Sequence, residues 1–245
     1  MRCRVGRKSA EASHWVVRSV VVIVIKNNSL RLTYHMGIYG VGSNKKPDTA
    51  AVAAVGAQFV AGGDTMIIVL NGYPGVGKLT IGRLLAEKLK GRLLDIHTVY
   101  NVAFALTEFK SPEFRDAVER VEAIAHDLAL KRPDQEPLVM TTVLAGQSAW
   151  GDAEWGRMVA LGDARPPFCV VHIHCDITEN TRRIQSPDRG AMHKPRDPSY
   201  VHRNHAEAKL LYGTDVTHLL RLDTTQLTAT DAADAIADWV GGLDH

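Results

Sequence analysis

Residues 66–85 read MIIVLNGYPGVGKLTIGRLL, from Met66 to Leu85. The first five, Met66 to Leu70, are all apolar and read as a strand buried on both faces. Next comes Gly72-Tyr73-Pro74-Gly75-Val76-Gly77-Lys78-Leu79-Thr80, rich in glycine and closed by a lysine. After it, Ile81, Leu84, Leu85 and Leu89 fall at helical spacing. The order is therefore strand, glycine loop, helix.

That context lifts the match to a Walker A loop above a chance run of glycines. Phosphate oxygens need many donors close by, and backbone N–H groups of a tight loop supply them only where no Cβ intrudes. Gly72, Gly75 and Gly77 provide that clearance. The following helix turns its N-terminal N–H groups and positive dipole end toward the anion. Lys78 adds a mobile full charge for the β and γ phosphates. The whole stretch from Gly72 through Thr80 is thus the candidate nucleotide cradle. One position departs from the usual pattern: the hydroxyl that normally follows the lysine and binds Mg²⁺ is Leu79, and Thr80 stands one place later. Thr80 is the candidate Mg²⁺ ligand, directly or through water.

The rest of the chain is read outward from this loop. Gly91 to Asp95 is a short apolar run ending in an acid, a second strand. It leads into a helix carrying Val102, Leu106 and Phe109. Ser111-Pro112-Glu113 starts another helix, with a cap, a first-turn proline and an acid near the dipole. Pro137 to Leu144 reads as a third strand buried on both faces, and Trp155, Met158 and Leu161 lie on the helix after it. Phe168 to Cys175 is a fourth strand, ended by Asp176; Thr178 is read as the cap of a helix carrying Arg182 and Arg183. A polar loop runs from Gln185 to Arg196. Asp197-Pro198 opens a helix expected to end near Gly213. His218 to Leu222 is the fifth strand, and Thr230 is read as the cap of the last helix. Strands alternate with helices five times, which argues for a parallel sheet covered on both faces.

Composition bounds the function. The chain has 245 residues, 45% hydrophobic and 23% charged, an ordinary globular balance. Cys3, Cys169 and Cys175 have no zinc or disulfide spacing and fit a reducing cytoplasm. No apolar run is long enough to span a membrane. The net charge of +2 is uneven. Residues 1–65 hold nine Lys and Arg against three Asp and Glu, and the remainder holds 20 against 24. The part that carries the glycine loop has no basic excess, which argues against a nucleic-acid partner.

The first 65 residues differ from the rest. They open Arg-rich, hold one apolar run from Val20 to Ile25, and continue through Gly, Asn, Lys and Ala without sustained period. A secretory signal would need a longer apolar core, which Arg18 interrupts. Few acids and many arginines also suit a mitochondrial presequence. The expectation here is that Met66 is the natural start, and that Ala61-Gly62-Gly63-Asp64 reflects a purine-rich stretch upstream of a bacterial start. Little stable structure is expected before Met66, apart from a strand near Val16–Ile25. The folded domain is expected over 66–245.

Residues 66–240 resemble the nucleotide- and small-molecule-kinase branch of P-loop proteins, which includes adenylate, shikimate and gluconate kinases and the zeta-toxin-like and chloramphenicol-phosphotransferase-like kinases. The resemblance is carried by GYPGVGKLT and, less sharply, by TENTRRIQSPDRGAMHKPR and LLRLDTTQLTATDAADAIADWV. The lysine–leucine–threonine order is similar to the adenylate-kinase form of the loop. The resemblance implies a five-stranded parallel sheet of order 2-3-1-4-5, ATP with Mg²⁺, and a small-molecule acceptor, in a monomer or homodimer. It implies a mobile lid over about 177–213, with Arg182, Arg183, Arg189, Lys194 and Arg196 reaching the transferred phosphate and excluding water. The plainer alternative is a solvated basic loop. It implies that Asp95 orients or deprotonates an acceptor hydroxyl, against the alternative of a helix N-cap; His97 and Asn101 follow it toward the same pocket. Thr224 and Thr225 fall where relatives hold the adenine by backbone contacts.

Two features do not fit that pattern. The third strand ends Thr141-Thr142, without a Walker B acid. His172 and His174 share one face of the fourth strand, but sequence fixes no third metal ligand, and hydrogen-bonded strand histidines are the simpler reading. Two functions follow: an ATP-dependent phosphotransferase acting on a hydroxylated metabolite or nucleotide, or a nucleotide-binding module or slow ATPase with no separate acceptor. No NKxD-type motif is present, which argues against a GTPase.

Overall fold

The computed structural model describes residues 15–26, 29–40, 65–187 and 195–243. The chain divides into two units, residues 1–59 and 60–245. In the first, β1 (Trp15–Lys26) pairs antiparallel with β2 (Ser29–Gly40), from Trp15 opposite Gly40 to Lys26 opposite Ser29. The expected strand near Val16–Ile25 lies within β1. β2 is an addition to the sequence reading, although Leu30, Leu32, Tyr34, Met36 and Ile38 alternate along it.

The second unit is built on β3 (Ile67–Asn71), the strand that opens the diagnostic stretch. Each of its five residues is buried. β5 (Leu138–Thr142) lies on one side and β6 (Phe168–His174) on the other, both parallel, with Asn71 level with Thr142 and His172. β4 (Arg92–Leu94) adds to β5, and β7 (His218–Asp223) adds to β6. Counted from β3, the order β4-β5-β3-β6-β7 is the expected 2-3-1-4-5. β3 is therefore a central strand flanked on both sides, which is why its sequence is continuously apolar.

Side chains alternate across the sheet. Ile68 and Leu70 pack with Ile81 and Leu85 of α1 (Lys78–Lys88) and with Ile236 and Val240 of α7 (Ala229–Gly241). Ile67 and Val69 face the other way, onto Met158 and Leu161 of α4 (Ala149–Ala164) and Ala129 of α3 (Pro112–Leu130). A third cluster joins α3 to α2 (Ile96–Leu106) through Val99, Ala103, Phe114 and Val118. Truncating a core side chain such as Leu70 to alanine would cost about 2–5 kcal/mol.

Among helix boundaries, α2 ends at Leu106, short of Phe109, and three others also differ from the sequence reading. The helix after β6, α5 (Ile177–Ile184), is capped by Asp176, which accepts from the Glu179 amide at 2.7 Å, and not by Thr178. The cap of α7 is Thr228, in a reciprocal capping box with Asp231, and not Thr230. In each case a nearer cap residue sits three places before a first-turn acid. The helix α6 (Pro198–Glu207) ends well before Gly213, because Ala208 takes a left-handed conformation at φ 42°. From there the chain runs beside the segment that follows β5, where the Gly146 amide donates to the Leu210 carbonyl and the Tyr212 amide to the Leu144 carbonyl.

Candidate active site

The strand ends β3, β5, β6 and β7 meet at one edge of the sheet, the location where open parallel sheets bind ligands. The glycine loop leaves β3 there. Gly75 and Gly77 have φ of +98° and +101°, a region that other residues enter only with strain. A Cβ on Gly75 would also lie 2.9 Å from Asn180 Oδ1. Gly77 N-caps α1 without a side chain, and the first turn of α1 holds no acid. The first-turn N–H groups and the positive helix end thus have no competing anion of their own. The Lys78 ammonium donates to the carbonyls of Gly72 at 2.5 Å and Tyr73 at 3.0 Å, so the lysine curls back over the loop it closes.

Two cavities flank the start of α1. One, of about 500 Å³, is lined by Gly77 and Thr80, by Glu179, Arg182 and Arg183 of α5, and by the loop from Thr224 into α7. The other, of about 300 Å³, is lined by Leu79, Arg83, Leu93, Asp95, His97 and Asn101. Leu79 and Thr80 are consecutive, yet they serve opposite cavities.

The first cavity is held open by one guanidinium. Arg183 donates to the Val76 carbonyl at 3.1 Å, to the Thr224 hydroxyl at 3.0 Å and to the Thr224 carbonyl at 2.6 Å, while pairing with Glu179 at 2.6 Å. It ties the glycine loop to the loop after β7. Arg182 forms a two-pronged pair with the same Glu179, and these two arginines hold that carboxyl down at about 2. Both arginines stand on α5, the helix on which the sequence reading placed them. Arg189 and Lys194 lie outside the described residues. Arg196 donates to the Ser186 carbonyl at 3.3 Å.

In the second cavity Asp95 is at once a helix cap and a lining residue. It N-caps α2, accepting from the His97 amide at 3.3 Å. It also accepts from the Thr141 hydroxyl at 2.6 Å and lies 3.2 Å from His97 Nδ1. Burial raises its pKa, but the hydrogen bonds from His97 and Thr141 outweigh that and leave it below the usual carboxylate value. Thr141 in turn accepts from the Ile96 amide at 3.1 Å. The threonine at the end of β5, where an acid was expected, braces Asp95.

The donor set suits a polyphosphate better than a divalent cation. Glu179 is the sole carboxylate among the residues lining the larger cavity, and it is spent on two arginines. Thr80 offers one hydroxyl there. Among the described residues no group of three His, Cys, Asp or Glu could hold a metal. Direct protein ligation of Mg²⁺, which wants several oxygens in octahedral array, does not fit these residues. His172 is buried with Nε2 2.8 Å from the Tyr212 carbonyl, and His174 Nε2 is 3.7 Å from Asp223, so the two histidines have separate partners.

Sequence reading missed Arg83, Glu179 and Asn180. Glu179 was recoverable from its spacing to Arg182 and Arg183, three and four residues on. Arg83 was recoverable as the residue one turn beyond Leu79. Asn180, against Gly75 across 105 positions, left no local signal.

A family model described as an AAA domain matches residues 68–207. The structure is similar to a protein from Chloroflexus aurantiacus J-10-fl named as a candidate kinase, at 21% identity and TM-score 0.55, over 74% of this chain and all of that one. It is also similar to a sugar kinase from Janibacter sp. HTCC2649, at 15% identity and TM-score 0.50, over 72% of this chain and 95% of that one. No curated protein matches the sequence.

Proposed function

Because the chain belongs to the AAA domain family and has the P-loop kinase fold, we propose that it is an ATP-dependent phosphotransferase acting on a small hydroxylated acceptor. The observation that carries this reading is the pair of cavities on either side of the first turn of α1. One serves the nucleotide and one the acceptor, with the Lys78 loop between them. The kinase names of the two similar structures support it.

In this mechanism the loop amides and the α1 N-terminus bind the polyphosphate. Arg183 and Thr224 shape the space for the rest of the nucleotide. The acceptor oxygen attacks the γ-phosphorus, the bond to the β–γ bridging oxygen breaks, ADP leaves, and the hydroxyl proton is given up late, to solvent water. A carboxylate has about four acceptor positions. At Asp95 the Thr141 hydroxyl and the His97 amide and ring occupy three, leaving one for the acceptor hydroxyl. A carboxylate held below its ordinary value is a poor base, so Asp95 acts mainly by orienting that hydroxyl. A nucleotide's Mg²⁺ would be held by phosphates and water.

The alternative, a slow ATPase, draws support from Leu79 at the usual hydroxyl position. ATP consumption measured against alcohols, sugars, nucleosides and nucleoside monophosphates separates the two. Stimulation by one class of acceptor is expected; slow hydrolysis indifferent to every acceptor would favour the alternative.

A further inference from the structure

Resting on the kinase reading above, we propose that the acceptor is a small anionic hydroxy compound, with its anionic group on Arg83 and its hydroxyl on Asp95. What the arginines are bonded to separates the two cavities. In the larger one, both arginines are paired with Glu179. In the smaller one, the Asp95 carboxylate takes its hydrogen bonds from His97 and Thr141, which leaves the Arg83 donors unfilled. Arg83 makes no hydrogen bond or ion pair among the described residues, although it lines the cavity with Asp95. A guanidinium with open donors recognises a carboxylate or phosphate through two parallel hydrogen bonds.

The remaining walls agree with this. Leu79 and Leu93 supply an apolar side. Asn101 also lines the cavity, and its buried Oδ1 has no partner, an acceptor available to a second hydroxyl. A volume of about 300 Å³ stands at the lower end for ligand pockets, suited to one short chain or one ring. Leu79 therefore has a role that a serine or threonine would not fill: it closes the acceptor side with carbon where related loops present a hydroxyl.

The test uses the full chain, ATP with Mg²⁺, and three four-carbon probes: threonate, threitol and threitol 4-phosphate. Two readouts run in parallel, phosphoryl transfer and the methyl resonances of Leu79 and Leu93. The expected result is that one or both anions bind and are phosphorylated, with kcat/KM at least about tenfold above threitol; which anion prevails tells carboxylate from phosphate. Arg83→Gln should raise KM for the anion about tenfold or more, with kcat and ATP affinity little changed, and Arg83→Lys should recover part of the loss. Anion-dependent methyl shifts abolished by Arg83→Gln, without any transfer, would keep the anion site and sink the kinase reading. Equal use of threitol, or methyl shifts indifferent to Arg83→Gln, would overturn the anion site while leaving the kinase reading intact.

Discussion

Lys78 and the loop glycines announce themselves in the sequence because their roles are local: the spacing alone sets where the amides point. Asp95 was legible as a choice between cap and catalytic group, and the structure shows that capping α2 still leaves it lining the smaller cavity. One carboxylate oxygen caps α2 and the other takes Thr141. Asp95→Asn should lower kcat about 10²-fold while ATP affinity, measured by fluorescence titration, stays within about twofold. A comparable loss of ATP affinity would move Asp95 out of the acceptor site. Arg183 was legible only as a positive charge near the phosphates. Its bonds to Val76 and Thr224 bridge 107 and 41 residues, which no local pattern encodes. Arg183→Ala should therefore weaken ATP binding about tenfold or more, since it opens the nucleotide cavity and leaves the Thr224 carbonyl without its charged donor. Unchanged affinity with lost turnover would restore a purely phosphate-directed role.

At the scale of elements, strand and helix identities follow from periodicity, and errors fall at helix ends, where a single side chain decides the boundary. Thr178 and Asp176 are both good caps, and only the position of Glu179 relative to the turn selects between them. The buried join between α2, α3 and α4 was not legible at all. Tyr100 donates to Glu154 at 2.6 Å, Arg157 pairs with Glu122 at 2.5 Å, and both carboxylates are nearly inaccessible, at 1% and 3%. Burial pushes Glu122 up to about 7, with the Glu154 and Glu119 charges adding to it against Arg157, and burial raises Glu154 as well. A raised carboxyl pKa favours folding while the group is protonated. That stability is full below the ordinary value near 4.5 and is lost as pH rises through about 7, at most about 3 kcal/mol for Glu122. Glu154→Gln keeps an acceptor for Tyr100 and removes one charge. It should raise Tm by about 3 °C or more at pH 8 and change it little near pH 4.5, by calorimetry. A lower Tm at pH 8 would show that the second charge is stabilising.

For the molecule as a whole, the alternation of five strands with helices sufficed to reach a parallel sheet covered on both faces, and the strand order followed from the resemblance carried by the glycine loop. The three apolar clusters found among the described residues all begin at or after Met66. A chain of residues 66–245 should therefore fold alone, with ATP affinity within about twofold of the full chain and a single cooperative melt. Loss of cooperativity would mean that the preceding unit contributes to the core. What the sequence withheld at this scale was the division of labour across α1. Leu79 and Thr80 part company there because each residue of an α-helix is rotated by about 100° from the one before, which puts Leu79 at one cavity and Thr80 at the other.

The most direct test of the account is calorimetric titration of ATP, with magnesium supplied, into the wild-type protein and into Lys78→Ala. Saturable binding of one nucleotide per chain, lost or weakened at least about 10²-fold in the variant, is the expected result. No binding of ATP or GTP by the wild type, or binding indifferent to Lys78, would contradict it.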